Sequence, residues 1–389
     1  MYRILFFLAL GTLITGCAGE QDRLGQKVLE NYAEIVYASY DDAVEGAVHL
    51  RSAIHTFLAD PTAETLEAAK KAWIDARLPY LQTEAYRFYD GPIDGEDGLE
   101  GFINAWPLDE NFIDYVVDEA TGKPVYGGII NNPADFPELT ADLLIKENEV
   151  HGEADVKIGY HAIEFLLWGQ DLYDDSAGKR PYTDYLTGAG ATAPNAERRK
   201  EYLRIVADLL VGHLTEVRDA WKPGSSYRSA FVKKENLESS LTSILSGLGK
   251  LSKGELAGER MTVALENKDQ EDEHSCFSDN THNDIIYNQL GIQNVYRGSY
   301  KRTDGTEING PGFADLVALS DKALSQSIDD HINKTLAAAE AIPAPFDQAI
   351  IRQPEKVQAV IRDLRAQSDE IQNIAQAIGL ILVIPETNE

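Results

Sequence analysis

His161 and Glu164 stand three residues apart in Gly159-Tyr160-His161-Ala162-Ile163-Glu164, inside an apolar run from Ile158 to Trp168. Positions i and i+3 of a helix share a face, so a single turn can aim a nitrogen and an oxygen donor at one point. A carboxylate buried there without a partner is costly. A metal ion, an arginine or a proton has to offset that cost. The same pair also reads as a hydrogen-bonded feature of an ordinary helical core, because buried polar groups find partners.

A second constellation runs from Asp272 through Glu273, His274, Ser275, Cys276, Phe277, Ser278, Asp279, Asn280 and Thr281 to His282. Asp279 and Thr281 suit helix capping, which leaves His274 and His282 as the ligand candidates. Cys276 reads as a buried, inert thiol before it reads as a ligand to a soft metal. His49, His55, His151, His213 and His331 are read as structural. A faint repeat links the two regions: Glu84 is followed by Glu96 and Asp97, and Glu259 is followed at the same spacings by Glu271 and Asp272.

The amino terminus bears on where this chemistry takes place. Arg3 precedes an apolar run from Ile4 to Ile14, and Thr15, Gly16 and Cys17 follow. A basic start, a short apolar stretch and small residues describe a secretory signal, and a membrane span needs about 20 apolar residues. The run resembles the bacterial lipoprotein signal. This implies cleavage after residue 16 and a lipid on Cys17, and Ala18 then favours the outer membrane in a host with two membranes. Cys276 becomes the one thiol of the mature chain, so no intramolecular disulfide is expected.

With 64 Asp and Glu against 35 Lys and Arg, the net charge is -29. Such a surface repels phosphate backbones and argues against nucleic-acid binding. It attracts cations in general, yet most of these carboxylates are read as solvated.

Periodicity predicts helix almost throughout. The predicted helices are Leu24 to Leu58, a segment capped by Asp60 and running to about Tyr89, Val156 to Gly169, Ala196 to Trp221, Tyr227 to Leu251, Glu255 to Lys268, His282 to Val295, Phe313 to Ala341 and Pro354 to Leu382. Only the region Val125 to Ile130 reads as a strand. Long helices with short links indicate up-and-down bundles. The expected organisation is a signal peptide at 1–16, a tether at 17–35, a first bundle at 36–222 and a second at 227–384. Lys222-Pro223-Gly224-Ser225-Ser226 is the hinge between them. The first bundle carries an irregular insertion at 90–157, rich in Gly, Pro and Asp. A long irregular segment in a compact domain is usually functional or disordered, and Phe102, Trp106, Phe112 and Tyr115 indicate packing.

The stretch from Gly159 to Glu164 resembles the GxHxxE motif of the imelysin-like proteins. Glu84-Ala85-Tyr86-Arg87-Phe88, Gly91-Pro92-Ile93-Asp94, Trp168-Gly169-Gln170-Asp171 and the run from Cys276 to His282 resemble its iron-regulated branch. That resemblance implies an all-α fold of two related bundles with a site at their junction. His161 and Glu164 would come from one half, and residues near Glu259 or His274 from the other. Two functions follow as expectations. One is an envelope lipoprotein that binds a divalent or trivalent metal ion and takes part in iron acquisition. Iron is favoured, zinc is possible, and the ligand is a free ion or an iron chelate, with an envelope transport protein as a possible partner. Glu84, His161 and Glu164 would be ligands, followed by Asp97 and Glu259. The other is a zinc-dependent peptidase, which the motif disfavours, because an inverted zinc signature reads H-x-x-E-H and Phe165 follows Glu164. A structural or interaction lipoprotein, with a plain His161–Glu164 hydrogen bond, is the third reading.

Overall fold

Helix dominates the computed structural model, which describes residues 7–118 and 120–385, with side chains from residue 19 onward. The expected all-α class holds. Residues 1–6 of the expected signal peptide, and every side chain up to residue 18 including that of Cys17, lie outside the described residues. Among the described residues no helix is long and apolar enough to cross a membrane.

A helix of 53 residues, Phe7–Ala59, forms the spine. Ala63–Thr83 folds back along it, and Ala196–Ala220 packs on the same helix. Thr62, not Asp60, caps the second helix: its side chain accepts from Thr65 N, and the Thr65 hydroxyl reaches back to Thr62 N. The later helices are Leu237–Lys250, Thr281–Arg297, Lys322–Glu340 and Pro354–Ala377. Thr281–Arg297 packs directly on Ala63–Thr83, which joins the early and late parts of the chain. Gly291 permits that approach, since a Cβ there would stand 2.4 Å from the carbonyl oxygen of Gln82.

Two elements differ from expectation in ways that matter for the site. Tyr227 to Leu251 and Glu255 to Lys268 are not two clean α-helices. Ser226–Phe231 stands apart, while Leu237–Lys250 runs on through wider π-helical turns, Leu251–Thr262, into Val263–Asn267. A π stretch changes which side chains face inward. Here it buries Arg260 and leaves Glu259 exposed. The predicted strand at Val125 to Ile130 is replaced by a short antiparallel pair, Val116–Asp118 with Lys123–Val125.

The insertion at 90–157 is ordered by polar anchors as well as aromatic ones. Arg199 donates to both carboxylate oxygens of Asp114 at 2.7 and 2.9 Å, and Arg180 adds a third bond at 2.7 Å. One continuous apolar core runs from Val28 to Ile384 through Trp73, Ile163, Leu245 and Ile292, drawing on both halves. A smaller core around Leu256, Met261, Phe346 and Leu364 lies in the later part.

Candidate functional site

The motif helix Tyr160–Trp168 is short, and its start is set by a backbone no other residue type adopts easily. Gly159 has φ +91°, and a Cβ there would meet the carbonyl oxygen of Ile103 at 2.6 Å. That combination requires glycine. Asn148 Oδ1 accepts from the amides of Lys157 and Ile158 just upstream, and Trp73 Nε1 donates to the Tyr160 carbonyl at 2.9 Å. The first turn is thereby held between the insertion and the Ala63–Thr83 helix.

In that turn His161 Nδ1 and Glu164 Oε2 lie 2.8 Å apart, both side chains buried. The other oxygen of Glu164 accepts from the amide and hydroxyl of Ser278, at 3.0 and 2.6 Å. The second half supplies a matching pair: His274 Nδ1 and Asp284 Oδ2 are also 2.8 Å apart. Ser275 Oγ donates to the same Asp284 oxygen at 2.6 Å, and Arg77 donates to Oδ1 at 3.3 Å. The two imidazoles stand edge to face, with ring centroids 4.7 Å apart. Arg77 also donates to Asn104 Oδ1, which turns the Asn104 amide nitrogen toward His274 Nε2 at 3.5 Å.

Glu84 occupies the neighbouring position. Its Oε2 accepts from Arg260 at 2.7 Å and from Arg87 at 2.8 Å, while its Oε1 is buried without a hydrogen-bond partner. Arg260 also donates to Asn288 Oδ1. Arg77 lies 5.0 Å from the Tyr160 ring and 5.4 Å from the Trp73 ring, so its charge is faced by aromatic surfaces as well as by Asp284.

Burial and charge together set the protonation of this centre. Burial pushes the His161 imidazole well below its ordinary range, and Arg77 reinforces the shift. Burial and Arg260 hold His274 at about 3, so both rings are neutral. Burial raises Glu164 to about 8 in spite of the Ser278 donors. Burial also acts on Glu84, but Arg87 and Arg260 outweigh it and bring the carboxyl down to about 2. Burial would raise Asp284 too, yet Arg77 and His274 keep it far below the ordinary carboxylate range.

Of the residues singled out in the sequence, the structure brings together His161, Glu164, Glu84 and His274. The remaining three lie elsewhere. Asp97 and Glu259 are exposed. His282, in the first turn of Thr281–Arg297, has its Nδ1 3.1 Å from the Asp279 carbonyl oxygen. Cys276 is buried, and burial pushes its thiol up, away from the reactive thiolate. Arg77, Asn104, Arg260, Ser278 and Asp284 complete the centre; sequence reasoning missed four of them and named Ser278 only within the second constellation, with no role at the site. The available signals were Arg77 between Trp73 and Tyr80 on one helix and Asp284 two residues beyond His282.

Whether these groups fit a metal ion is tested by their unused atoms. His161 Nε2 is buried with no partner, and Glu84 Oε1 likewise. Each ring has its Nδ1 against a carboxylate, the arrangement by which an outer carboxylate orients an imidazole for a metal on its other nitrogen. His161 thus offers a free nitrogen donor, while His274 Nε2 faces the Asn104 amide nitrogen at 3.5 Å. The pair is not a complete shell: among the described residues no group of three or more His, Cys, Asp and Glu is gathered closely enough to hold an ion. Glu164 and Asp284 each hold the Nδ1 of one of the two rings.

The same combination of fold and motif recurs in known proteins. The family model described as Imelysin matches residues 36–371. The chain belongs to the imelysin family. Among imelysin relatives, Iron-regulated protein A of Synechococcus elongatus is 27% identical over 349 residues, covering 87% of this chain and 82% of that protein. The crystal structure of a protein assigned as an iron-regulated protein A precursor, from Parabacteroides distasonis, superposes with a TM-score of 0.71. It has 19% identity and covers 92% of this chain and 95% of that one. An imelysin-like protein from Psychrobacter arcticum gives a TM-score of 0.64 at 14% identity, over 93% and 98% of the two chains. At these identities the two structures share the imelysin fold with this chain.

Proposed function

We propose that this imelysin-family protein is a lipid-anchored envelope protein that takes part in iron acquisition by binding a metal ion, or an iron chelate, at His161 and His274. One observation carries the reading: His161 Nε2 is buried without a partner, while Nδ1 is held by Glu164 and the ring abuts a second imidazole oriented by Asp284. Imidazole and carboxylate donors suit iron, and also zinc. Relatives that carry the name Iron-regulated protein A support iron over the alternatives. His161 and His274 would hold the ion, with Glu84 Oε1 as an unused carboxylate oxygen of the same cluster. The bound ion would supply affinity for further oxygen ligands. An incomplete protein shell leaves positions for groups that arrive with the metal, which favours a chelate. The lipoprotein signal ending in Cys17 supports a place in the envelope, beside uptake machinery.

The peptidase reading has less support. Both oxygens of Glu164 are engaged, by His161 and by Ser278, so this carboxylate is poorly placed to act as a general base toward water.

Metal titration followed by elemental analysis tests the proposal. The intact protein should bind one equivalent of iron or zinc. His161→Ala and His274→Ala should each lose it with the helical far-UV spectrum retained, while Asp97→Ala and Glu259→Ala should bind normally. Unchanged stoichiometry in a His161→Ala/His274→Ala double variant would remove the site.

A further inference from the structure

Ile381 and Val383 are 91% and 79% exposed, an unusual exposure for two aliphatic side chains two residues apart. The segment that carries them is not loose. Leu380 and Leu382 pack against the main core, and Ile384 is buried against Gly249, where a Cβ would overlap it. Inward and outward side chains therefore alternate, and the structure holds Ile381 and Val383 outward. Leu319, 48% exposed, belongs to the same end of the molecule, since Ser320 Oγ donates to the Ala377 carbonyl at 3.1 Å. Leu319 also lines a hollow with Gly19, Glu20 and Arg23 near the beginning of the long helix.

This apolar end is tied to the part of the chain nearest Cys17. Gln21 Nε2 donates to the carbonyl of Ile378 at 2.5 Å. Gln21 lies four positions beyond Cys17, a span of at most about 14 Å in any conformation. A lipid on Cys17 would hold the bilayer within that reach of the Ile378–Ile384 segment. An apolar patch on a chain of net charge -29 asks for a partner that is itself apolar.

We propose that Ile381, Val383 and Leu319 form a contact face for the lipid bilayer, so that the protein rests on the membrane in a defined orientation instead of swinging on a free tether. The inference rests on the lipoprotein reading of Cys17. The contact adds a second membrane signal to the acyl anchor. It directs the opposite end of the long helix away from the lipid. The net negative charge of the chain matches a neutral headgroup surface better than an anionic one.

The test uses the full-length lipidated protein in phosphatidylcholine vesicles, with an environment-sensitive fluorophore on Ile381→Cys; the native Cys276 is buried. A control probe sits on Asp60→Cys, about 60 Å along the helix from Gln21 at 1.5 Å per residue. The expected result is a blue shift at 381, quenched by spin-labelled lipid, with an aqueous spectrum at 60. If the protein floats with the vesicles and the 381 probe stays aqueous, the contact face is wrong and the anchor stands. If the native protein floats no better than a Cys17→Ala variant, the anchor itself fails, and the inference with it. A blue shift without vesicles, accompanied by a dimer in sedimentation, assigns the face to a second copy of the chain and overturns the proposal.

Discussion

Arg77 and Asp284 meet at 3.3 Å, both fully buried, one from each half of the chain. The Asp284 carboxylate holds three side chains together: one oxygen takes Arg77, and the other takes His274 and Ser275. The orientation of an imidazole from the second half thus depends on an arginine from the first.

Removing Arg77 should therefore be severe. Arg77→Met leaves Asp284 buried with its principal cation missing, and breaking such a pair typically costs about 3–5 kcal/mol. Urea unfolding at pH 7 should show this loss. Arg77→Met/Asp284→Asn should recover a large part of it, because the uncompensated charge is gone. Equal destabilisation in the single and double variants would mean that Arg77 acts through its aromatic packing alone.

Two glycines carry the geometry of the junction. Gly159→Ala places a methyl group 2.6 Å from the Ile103 carbonyl oxygen at a positive φ, and Gly291→Ala places one 2.4 Å from the Gln82 carbonyl oxygen. Each should destabilise by roughly 2 kcal/mol or more, as strained or overpacked sites do. Gly224, also at positive φ but with open space around it, is the comparison: Gly224→Ala should be milder by thermal melting. A Gly291→Ala protein as stable as the parent would mean the two helices can separate freely.

Asp171 and Asp279 should each contribute a loss of stability as the medium turns from acidic to neutral, a trend that the neutral imidazoles of His161 and His274 oppose below about pH 6.5. Burial, followed by the charges of Asp279 and Asp347, raises Asp171 to about 7; burial, followed by Asp347 and Glu164, does the same to Asp279. The folded chain therefore keeps protons that the unfolded chain releases at about pH 4, and stability is lost as pH rises from about 4 through 7. Asp114 works in the opposite sense. Against the effect of burial, Arg180 and Arg199 hold it at about 2, so its contribution is present above about pH 4 and disappears as pH falls through 2. Asp171→Asn/Asp279→Asn should flatten the decline toward pH 8. Because Asp279 is half-buried and the two shifts are partly caused by neighbouring acids, the gain there should be about 1–2 kcal/mol, well short of the full shift. Thermal melts from pH 4 to 8 decide it; parallel curves for parent and variant would discount the pair.

The helical class, the family resemblance and the motif pair were legible in the sequence, because periodicity and a local spacing of three residues are properties of the chain itself. His161 with Glu164 is such a local pair, and its hydrogen bond closes within one turn. Asp97 and Glu259 are both exposed, since equal spacing along the chain says nothing about facing. In the second half the π-helical turns from Leu251 to Thr262 rotate Arg260 inward and Glu259 outward. An α-helical count could not anticipate that change.

By itself, then, the order of residues determined what each segment becomes: apolar periodicity and side-chain capping act over a few neighbours and favour helix nearly everywhere. Only the tertiary structure decided which charges meet. Arg77 with Asp284, Arg260 with Glu84, and Ser278 with Glu164 each join residues more than a hundred positions apart. A buried charge must find a counter-charge or donor wherever the fold brings one, and that partner is chosen by how two helices cross at Gly291 and by where the segment bearing Ser278 meets Glu164.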